Sequence, residues 1–432
     1  MSRLIFACIL ALILRLVLSV TIYSGDVNNH TVWGQSILQN GSLGAYDRKY
    51  VGVMQPTYPP ISLASFTTSF AMFQLTDASA NWLNDNLSFF PSKIIWALQD
   101  QDVLPAFHKI YAIFADIGIG ILIYGLARMI FHSDQKSAFF ASAVYLFNPA
   151  VFYNSSLWGQ LESPPLFWIL LSVWLILKKK VTWAHAAFVL ALLSKQSSLI
   201  FVPGFVLFSL FKSGWKKTFY GLIVQMVIFW LAYLPFTSCQ ITNPQCIAAW
   251  PVQVYLNRLE TGSGSDYISD HAFNFWALYS NLAKISDKLV VAYNFSANVV
   301  GKLVFMTISA VLLLKYLKNR TSSVLIHTMG IIGFTSFLVL TRMHERYLAP
   351  ALPFLAIAAS GRKQLWPIYL LVSFCHLLNM YHNWWFPEMP QIADFVAINT
   401  PQIVNLVILL LAISWISWMA VFLHESRNKQ LA

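Results

Sequence analysis

Charge is what this chain has least of. Only 10% of its 432 residues are Asp, Glu, Lys or Arg, against about 25% in an ordinary soluble domain. So few charges cannot cover the surface of a soluble protein of this size. A soluble enzyme, a disordered chain and a nucleic-acid binder are excluded. The four cysteines (Cys8, Cys239, Cys246 and Cys375) are too few for a disulfide scaffold or a zinc cluster. There is no Pro-rich linker, low-complexity tract or evident internal repeat. H-E-x-x-H, Walker and G-x-G-x-x-G motifs are missing, as are His-x-x-x-Cys spacings. A soluble nucleotide cofactor has no obvious site, and no cofactor is expected.

What is present is apolar: 57% of the residues are hydrophobic. The class is an all-α polytopic membrane protein. A spanning helix needs about 20 mostly apolar residues. Candidate spans lie at 4–22, 107–131, 137–153, 163–177, 183–194, 198–211, 217–236, 297–316, 322–340, 347–360, 365–380 and 402–423, twelve in all. The apolar run in residues 1–24 is longer than a signal peptide's, and no clear A-x-A site follows. It is expected to remain as an anchor.

The net charge of +11 sets orientation. With both termini cytoplasmic, the inner segments carry Arg3, Arg128, Lys136, Lys178–Lys180, Lys212, Lys216, Lys217, Lys315, Lys318, Arg320, Arg362, Lys363, Arg427 and Lys429. Fourteen of the 17 acids fall outside. That is the positive-inside rule, not a nucleic-acid footprint. The rule also divides residues 183–211 into a hairpin of two short helices with Ser194-Lys195-Gln196 at its outer tip. The pair 322–340 and 347–360 repeats the pattern around Arg342-Met343-His344-Glu345-Arg346. Short helices with polar tips imply a water-accessible hollow opening outward.

Two large segments lie outside, 24–106 and 237–296. The first predicts a helix at 27–39. A second helix starts at Pro59-Pro60, where Pro is tolerated, and runs to about Leu75, on or dipping into the outer leaflet. In the second segment Cys239 and Cys246 flank an Asn-Pro turn. An outer compartment permits a disulfide there; two unlinked thiols are the alternative.

Several outer residues can carry chemistry. Asp26 follows the first span. It reads equally as a helix N-cap or as a general base whose proton affinity is raised by low-dielectric surroundings. Arg342, His344 and Arg346, beside Glu345, have the donors to hold a phosphate; a solvated loop with a local Glu–Arg pair is the alternative. Lys195 with Gln196 either contacts a headgroup or snorkels. In Trp158-Gly159-Gln160-Leu161-Glu162 the Trp belongs to the aromatic belt, or Gln160 and Glu162 beside it bind sugar hydroxyls. Arg258 and Asn274-Phe275-Trp276 are individually bland. Arg15 and Asp116 are intramembrane charges, at depths that suit a mutual structural pair.

In order along the chain, Gly25-Asp26, Trp33, Thr57-Tyr58-Pro59-Pro60-Ile61-Ser62, Asp116, Trp158-Gly159-Gln160, Lys195-Gln196, Asn274-Phe275-Trp276 and His344-Glu345-Arg346 resemble the GT-C glycosyltransferases. The likeness is greatest to the dolichyl-phosphate-glucose-dependent enzymes of N-glycan assembly. Those carry His-Glu-Lys where Arg346 stands here, a departure that looks like a bacterial or archaeal polyprenyl-phosphate-sugar branch. The resemblance implies a single GT-C domain over 1–432, with an outer or luminal active site in a plasma or endoplasmic-reticulum membrane. It implies a polyprenyl-phosphate hexose (glucose or mannose) as donor, a lipid-linked or surface glycan as acceptor, and no metal. Asp26 would be the base, and His344, Arg346, Arg342, Arg258 and Lys195 the phosphate ligands. Glu345, Tyr58, Trp158, Gln160, Glu162, Gln196 and Trp276 would contact substrate. The competing class is a multi-pass transporter of a sugar or lipid-linked sugar. Transporters place charged sites near the midplane on paired repeats, and solute counterflow in proteoliposomes separates the two.

Overall fold

The computed structural model describes residues 2–240, 242–261 and 266–428; Lys429, one of the expected inner cations, lies outside them. Nineteen α-helices follow one another among the described residues. The first seven are α1 (Ser2–Ser19), α2 (Asp26–Asn40), α3 (Pro60–Asn86), α4 (Lys93–Leu98), α5 (Val103–Ile130), α6 (Gln135–Leu146) and α7 (Pro149–Phe152). Next come α8 (Ser163–Leu177), α9 (Val181–Ser194), α10 (Val202–Ser213), α11 (Trp215–Tyr233), α12 (Pro244–Thr261) and α13 (Phe275–Ser280). The last are α14 (Ala297–Lys318), α15 (Ser322–Val339), α16 (Ala351–Gly361), α17 (Trp366–Trp384), α18 (Pro390–Ile398) and α19 (Thr400–Asn428). One small antiparallel hairpin, β1 (Val290–Ala292) and β2 (Phe295–Ser296), interrupts the second outer segment.

Seven stretches are long and apolar enough to cross a bilayer: α1, α5, Gln196–Ser213, Trp215–Phe236, α14, α15 and Thr400–His424. The chain is an all-α membrane protein. The other apolar intervals are helical but short or mixed. At 1.5 Å per residue, the 11 residues of α16 and the 14 of α9 reach about 17 and 21 Å, against a hydrocarbon core of about 30 Å. α17 is longer, but Ser373, His376, Asn379 and His382 dilute it. Exposed apolar residues band the outside: Phe6, Ile9 and Ile13 on α1, Phe219, Ile223 and Met226 on α11, and Leu303, Met306 and Val311 on α14. α15 is buried along its whole length. A soluble fold would reverse that cost, since exposed apolar surface is unfavourable in water and not in lipid.

The two short hairpins form as the charge pattern requires. Phe188 stacks on Phe205 at 4.1 Å, and His185 Nε2 lies 2.9 Å from Ser209 Oγ, so α9 and α10 run back to back. The reversal is at Lys195, where the backbone turns extended (φ −155°, ψ 131°). In the second hairpin Gly330 admits Phe354 of α16 and Gly333 admits Pro350 just ahead of it; a Cβ on Gly330 would stand 2.4 Å from the Trp418 ring. The base of the bundle is tied by Ser133 Oγ donating to Ser360 O (3.2 Å) and by Arg320 over the Phe211 ring (4.2 Å). Lys178–Lys180, Lys212–Lys217 and Arg320 therefore share one end, opposite the hairpin tips.

Helix starts follow local chemistry. Asp134 accepts from Lys136 N and Ser137 N ahead of α6, and Asn148 accepts from Ala150 N ahead of Pro149, each satisfying orphan amides. α3 runs on to Asn86 rather than stopping near Leu75, because no Gly or Pro interrupts residues 61–86. It crosses α2 closely at Gly34, where a Cβ would lie 2.5 Å from Phe66 O. Buried beneath the site, Arg15 Nε bonds Asp116 Oδ2 at 3.0 Å and Arg15 Nη1 donates to Leu146 O at 2.8 Å. Asp116 also accepts from Ser155 Oγ (2.6 Å) and from Ser163 Oγ. One carboxylate thus joins α1, α5, the turn before Trp158 and the start of α8.

Candidate functional site

A cavity of about 640 Å³ opens where the two hairpin tips meet α2. Asp26 hangs at its edge. As the first residue of α2, Asp26 makes no cap; the residue before it, Gly25, makes no side-chain cap bond either. Instead the carboxylate accepts from Gln160 Nε2 at 2.7 Å and faces Arg346 Nη2 at 3.7 Å. Lys109 Nζ, from α5, donates to Ser19 O (2.7 Å) and to Ile22 O. This holds the end of α1, and with it the turn that carries Asp26. Gln160 is aimed by a single π-helical turn over Tyr153–Trp158, ended by Gly159 at φ +84°; such turns are frequent at functional sites. A Cβ on Gly159 would strike Val27 at 2.6 Å.

Arg346 is the hub. Its guanidinium pairs with Glu345 Oε1 at 2.7 Å, Glu162 Oε1 at 3.3 Å and Asp26. Lys195, from the facing tip, pairs with the other oxygen of Glu162 and lies 4.6 Å above the Tyr347 ring. Two cations therefore meet three carboxylates. Burial alone would lift the Asp26 carboxyl, but Arg346 and then the Gln160 hydrogen bond outweigh it, leaving the pKa lowered. The sequence reading, from low dielectric alone, gives the opposite direction, because it does not place a cation beside the carboxylate. Burial lowers Lys195 against the pull of Glu162.

The cavity has a second group of charges nearer its rim. Arg258 Nη2 donates to Tyr46 O (2.8 Å) and Gln55 Oε1 (3.1 Å), both neutral. Arg342 pairs with the buried Asp287 at 2.7 Å and donates to Glu260 O. Asp287 also accepts from Asn298 and Thr341. Lys302, one turn after Asn298 on α14, lines the same cavity and has no ion-pair partner among the described residues. Glu260 also lines the cavity. Leu166, Ile169, Phe201, Phe305 and Leu340 complete an apolar side.

Of the residues singled out in the sequence, Asp26, Tyr58, Glu162, Lys195, Gln196, Arg258, Arg342 and Arg346 line the cavity. Gln196 Nε2 also donates to Thr57 O at 2.8 Å. Others stand behind. Glu345 is fully buried and serves as counter-ion to Arg346 rather than as a substrate contact. Gln160 is buried against Asp26, and Trp158 stacks on Trp384 at 5.5 Å with Arg346 5.9 Å from its ring. His344 faces Asp270, Nδ1 to Oδ2 at 3.7 Å, its backbone bridged to Asp270 and His271. Trp276 is elsewhere, donating to Val339 O at 2.7 Å, and Asn274 caps α13. Cys239 and Cys246 form a disulfide. The sequence reading missed Asn29, His30 and Lys302. The spacing Asp26, Asn29, His30, Trp33 marks one helical face and was legible; Lys302 carried no signal beyond its charge.

No three His, Cys, Asp or Glu side chains come together as a metal site among the described residues. The cluster can do three things chemically: take a proton at Asp26, hold an anion at the rim cations, and shelter an apolar chain beside them. No protein-family model matches the chain, and no curated protein matches it.

Proposed function

We propose that the chain is an inverting glycosyltransferase of GT-C type. It moves a hexose from a polyprenyl-phosphate donor to a hydroxyl of a lipid-linked or surface glycan on the outer membrane face. The observation that carries this reading is Asp26: a half-exposed carboxylate, fixed by Gln160, at the edge of a cavity that has cations on one side and apolar residues on the other. With the basic end of the bundle cytoplasmic, the twelve helical intervals act as spans and the cavity opens outward.

The acceptor hydroxyl attacks the anomeric carbon from the face opposite the phosphate. As that C–O bond forms, the bond from carbon to phosphate oxygen breaks, and the hydroxyl proton passes to Asp26. Polyprenyl phosphate leaves with the electron pair. It leaves well without protonation, so charge stabilisation is the larger requirement. Arg258, Arg342 and Lys302 at the rim, and Lys195 and Arg346 deeper in, supply it. Apolar residues such as Phe305 and Leu340 suit the first isoprene units.

The test is Asp26→Asn in nanodiscs with a radiolabelled polyprenyl-phosphate hexose and membrane-lipid acceptors. Wild type is expected to transfer label; the variant, folded and inserted, is expected to lose at least a thousandfold. Equal turnover rejects Asp26 as the base.

A further inference from the structure

Four residues of α2 point into the cavity at helical spacing: Asp26, Asn29, His30 and Trp33. Positions i, i+3, i+4 and i+7 form one stripe on a helix. The last three are used by nothing described so far. The Asn29 amide has no hydrogen-bond partner among the described residues. His30 is 1% exposed, and its Nδ1 is buried without a partner. An unmet buried donor or acceptor is costly, so an unpartnered polar ring in the wall of a cavity points to a ligand.

The geometry around them is rigid. The His30 ring stacks on Phe66 at 4.1 Å with 9° between planes, and meets Tyr58 edge-on at 5.6 Å. Trp33 Nε1 donates to Met54 O at 2.8 Å, which fixes the indole. Burial pushes the His30 pKa down to about 3. Near neutral pH it is an uncharged imidazole with one donor and one acceptor. The stripe thus offers an amide, a neutral imidazole and fixed aromatic rings, with no charge beyond Asp26. An anion gains little there. A hexose, with hydroxyls for the polar atoms and a C–H face for the partly exposed Tyr58 ring in the cavity wall, fits the set.

We infer that this face of α2 is the platform for the acceptor's sugar, with Asn29 and His30 bonding hydroxyls that bring the reacting one to Asp26. The inference rests on the glycosyltransferase reading for its role, but the binding itself does not require turnover.

Wild-type protein in nanodiscs is titrated with methyl α-glucoside and methyl α-mannoside, read by saturation-transfer NMR. At least one is expected to bind. Asn29→Ala and His30→Phe, the latter keeping the stack on Phe66, are each expected to weaken binding at least tenfold. His30→Gln, which restores a donor and an acceptor, should fall within about threefold of wild type. Thermal melting confirms that each variant is folded. If neither hexoside binds, or if binding is the same in Asn29→Ala and His30→Phe, the platform is rejected. Hydrolysis of polyprenyl-phosphate hexose is followed in parallel. Donor turnover with unaltered hexoside binding overturns the platform alone. Hexoside binding lost in the variants, with no donor turnover by wild type, leaves the platform standing and overturns the transferase.

Discussion

Arg346 Nη2 stands 3.7 Å from Asp26 Oδ2, while the same guanidinium serves Glu162 and Glu345. One cation is divided among three carboxylates, and the outermost pairing is the longest. On the proposed reading, a donor phosphate reaching this depth would compete with Asp26 for Arg346. Drawing the guanidinium away would leave burial as the dominant influence on Asp26, which would make it a better base when the proposed acceptor hydroxyl needs one.

The pH profile reports that relationship. As the proposed base, Asp26 must be ionised to act, and its pKa is lowered in the resting protein. The acid limb of kcat/KM, which reports the free enzyme, is expected below the ordinary carboxylate range. Arg346→Met removes the main lowering influence and leaves burial, so the limb should move to higher pH along with a large loss of rate. Gln160→Leu should move it the same way by less. A limb unmoved in both variants disconnects Asp26 from the profile.

The Arg15–Asp116 pair carries stability. Asp116→Asn leaves Arg15 charged among helices, and breaking a buried pair in this way costs about 3–5 kcal/mol. A sharply lower melting temperature in detergent is the expected result. The double variant Arg15→Met with Asp116→Leu should recover much of it. A single variant as stable as wild type shows that the pair is dispensable.

Gly34 sets the distance between α2 and α3. Its Cβ would meet the backbone oxygen of Phe66 at 2.5 Å, and a backbone atom has no rotamer to yield. Gly34→Ala is expected to cost about 1–3 kcal/mol. It should also lower transfer by up to about a hundredfold, since a small misplacement of a reacting group is that costly. Gly25→Ala, which meets nothing within 4 Å, is the control.

Lys302 should act on the donor. Lys302→Ala is expected to raise the KM for polyprenyl-phosphate hexose about tenfold, the size of a lost hydrogen bond to a charged group, with the acceptor's KM unchanged. An effect on the acceptor alone places the phosphate elsewhere.

The disulfide gives a check on sidedness. Protein purified without reductant and alkylated under denaturing conditions should show label at Cys8 and Cys375 and none at Cys239 or Cys246. In the intact cell, reduction by an impermeant phosphine should expose the latter two to an impermeant maleimide. Labelling that requires permeabilisation puts residues 237–246 on the other face.

The helices were legible because apolar runs and basic clusters are local signals. The chain reversal at Lys195 followed from keeping Lys178–Lys180 and Lys212–Lys217 at one end, and Phe188 on Phe205 shows it. The site was half legible. Asp26, Lys195 and Arg346 could be named as charges out of place in apolar surroundings. Their partners could not, because Glu345 under Arg346 and Asp287 under Arg342 are pairings fixed by tertiary packing. The same limit explains His344 and Trp276. Each sits in a motif that looks reactive in sequence; His344 faces Asp270 while its charge still helps to lower the Asp26 carboxyl, and Trp276 donates to Val339 O away from the cavity.

Asp26 belongs to the start of the chain, and Arg346 to a hairpin near its end. During synthesis the carboxylate is therefore made long before the residue that compensates it. Until Gln160 has been made the nascent protein holds that acid without either partner, and from then until residue 346 it has the Gln160 amide but not the cation. The late hairpin does more than complete the bundle: its arrival closes the charge balance at the front of the molecule, so a chain truncated before residue 346 should be inserted yet leave its reaction centre electrically open.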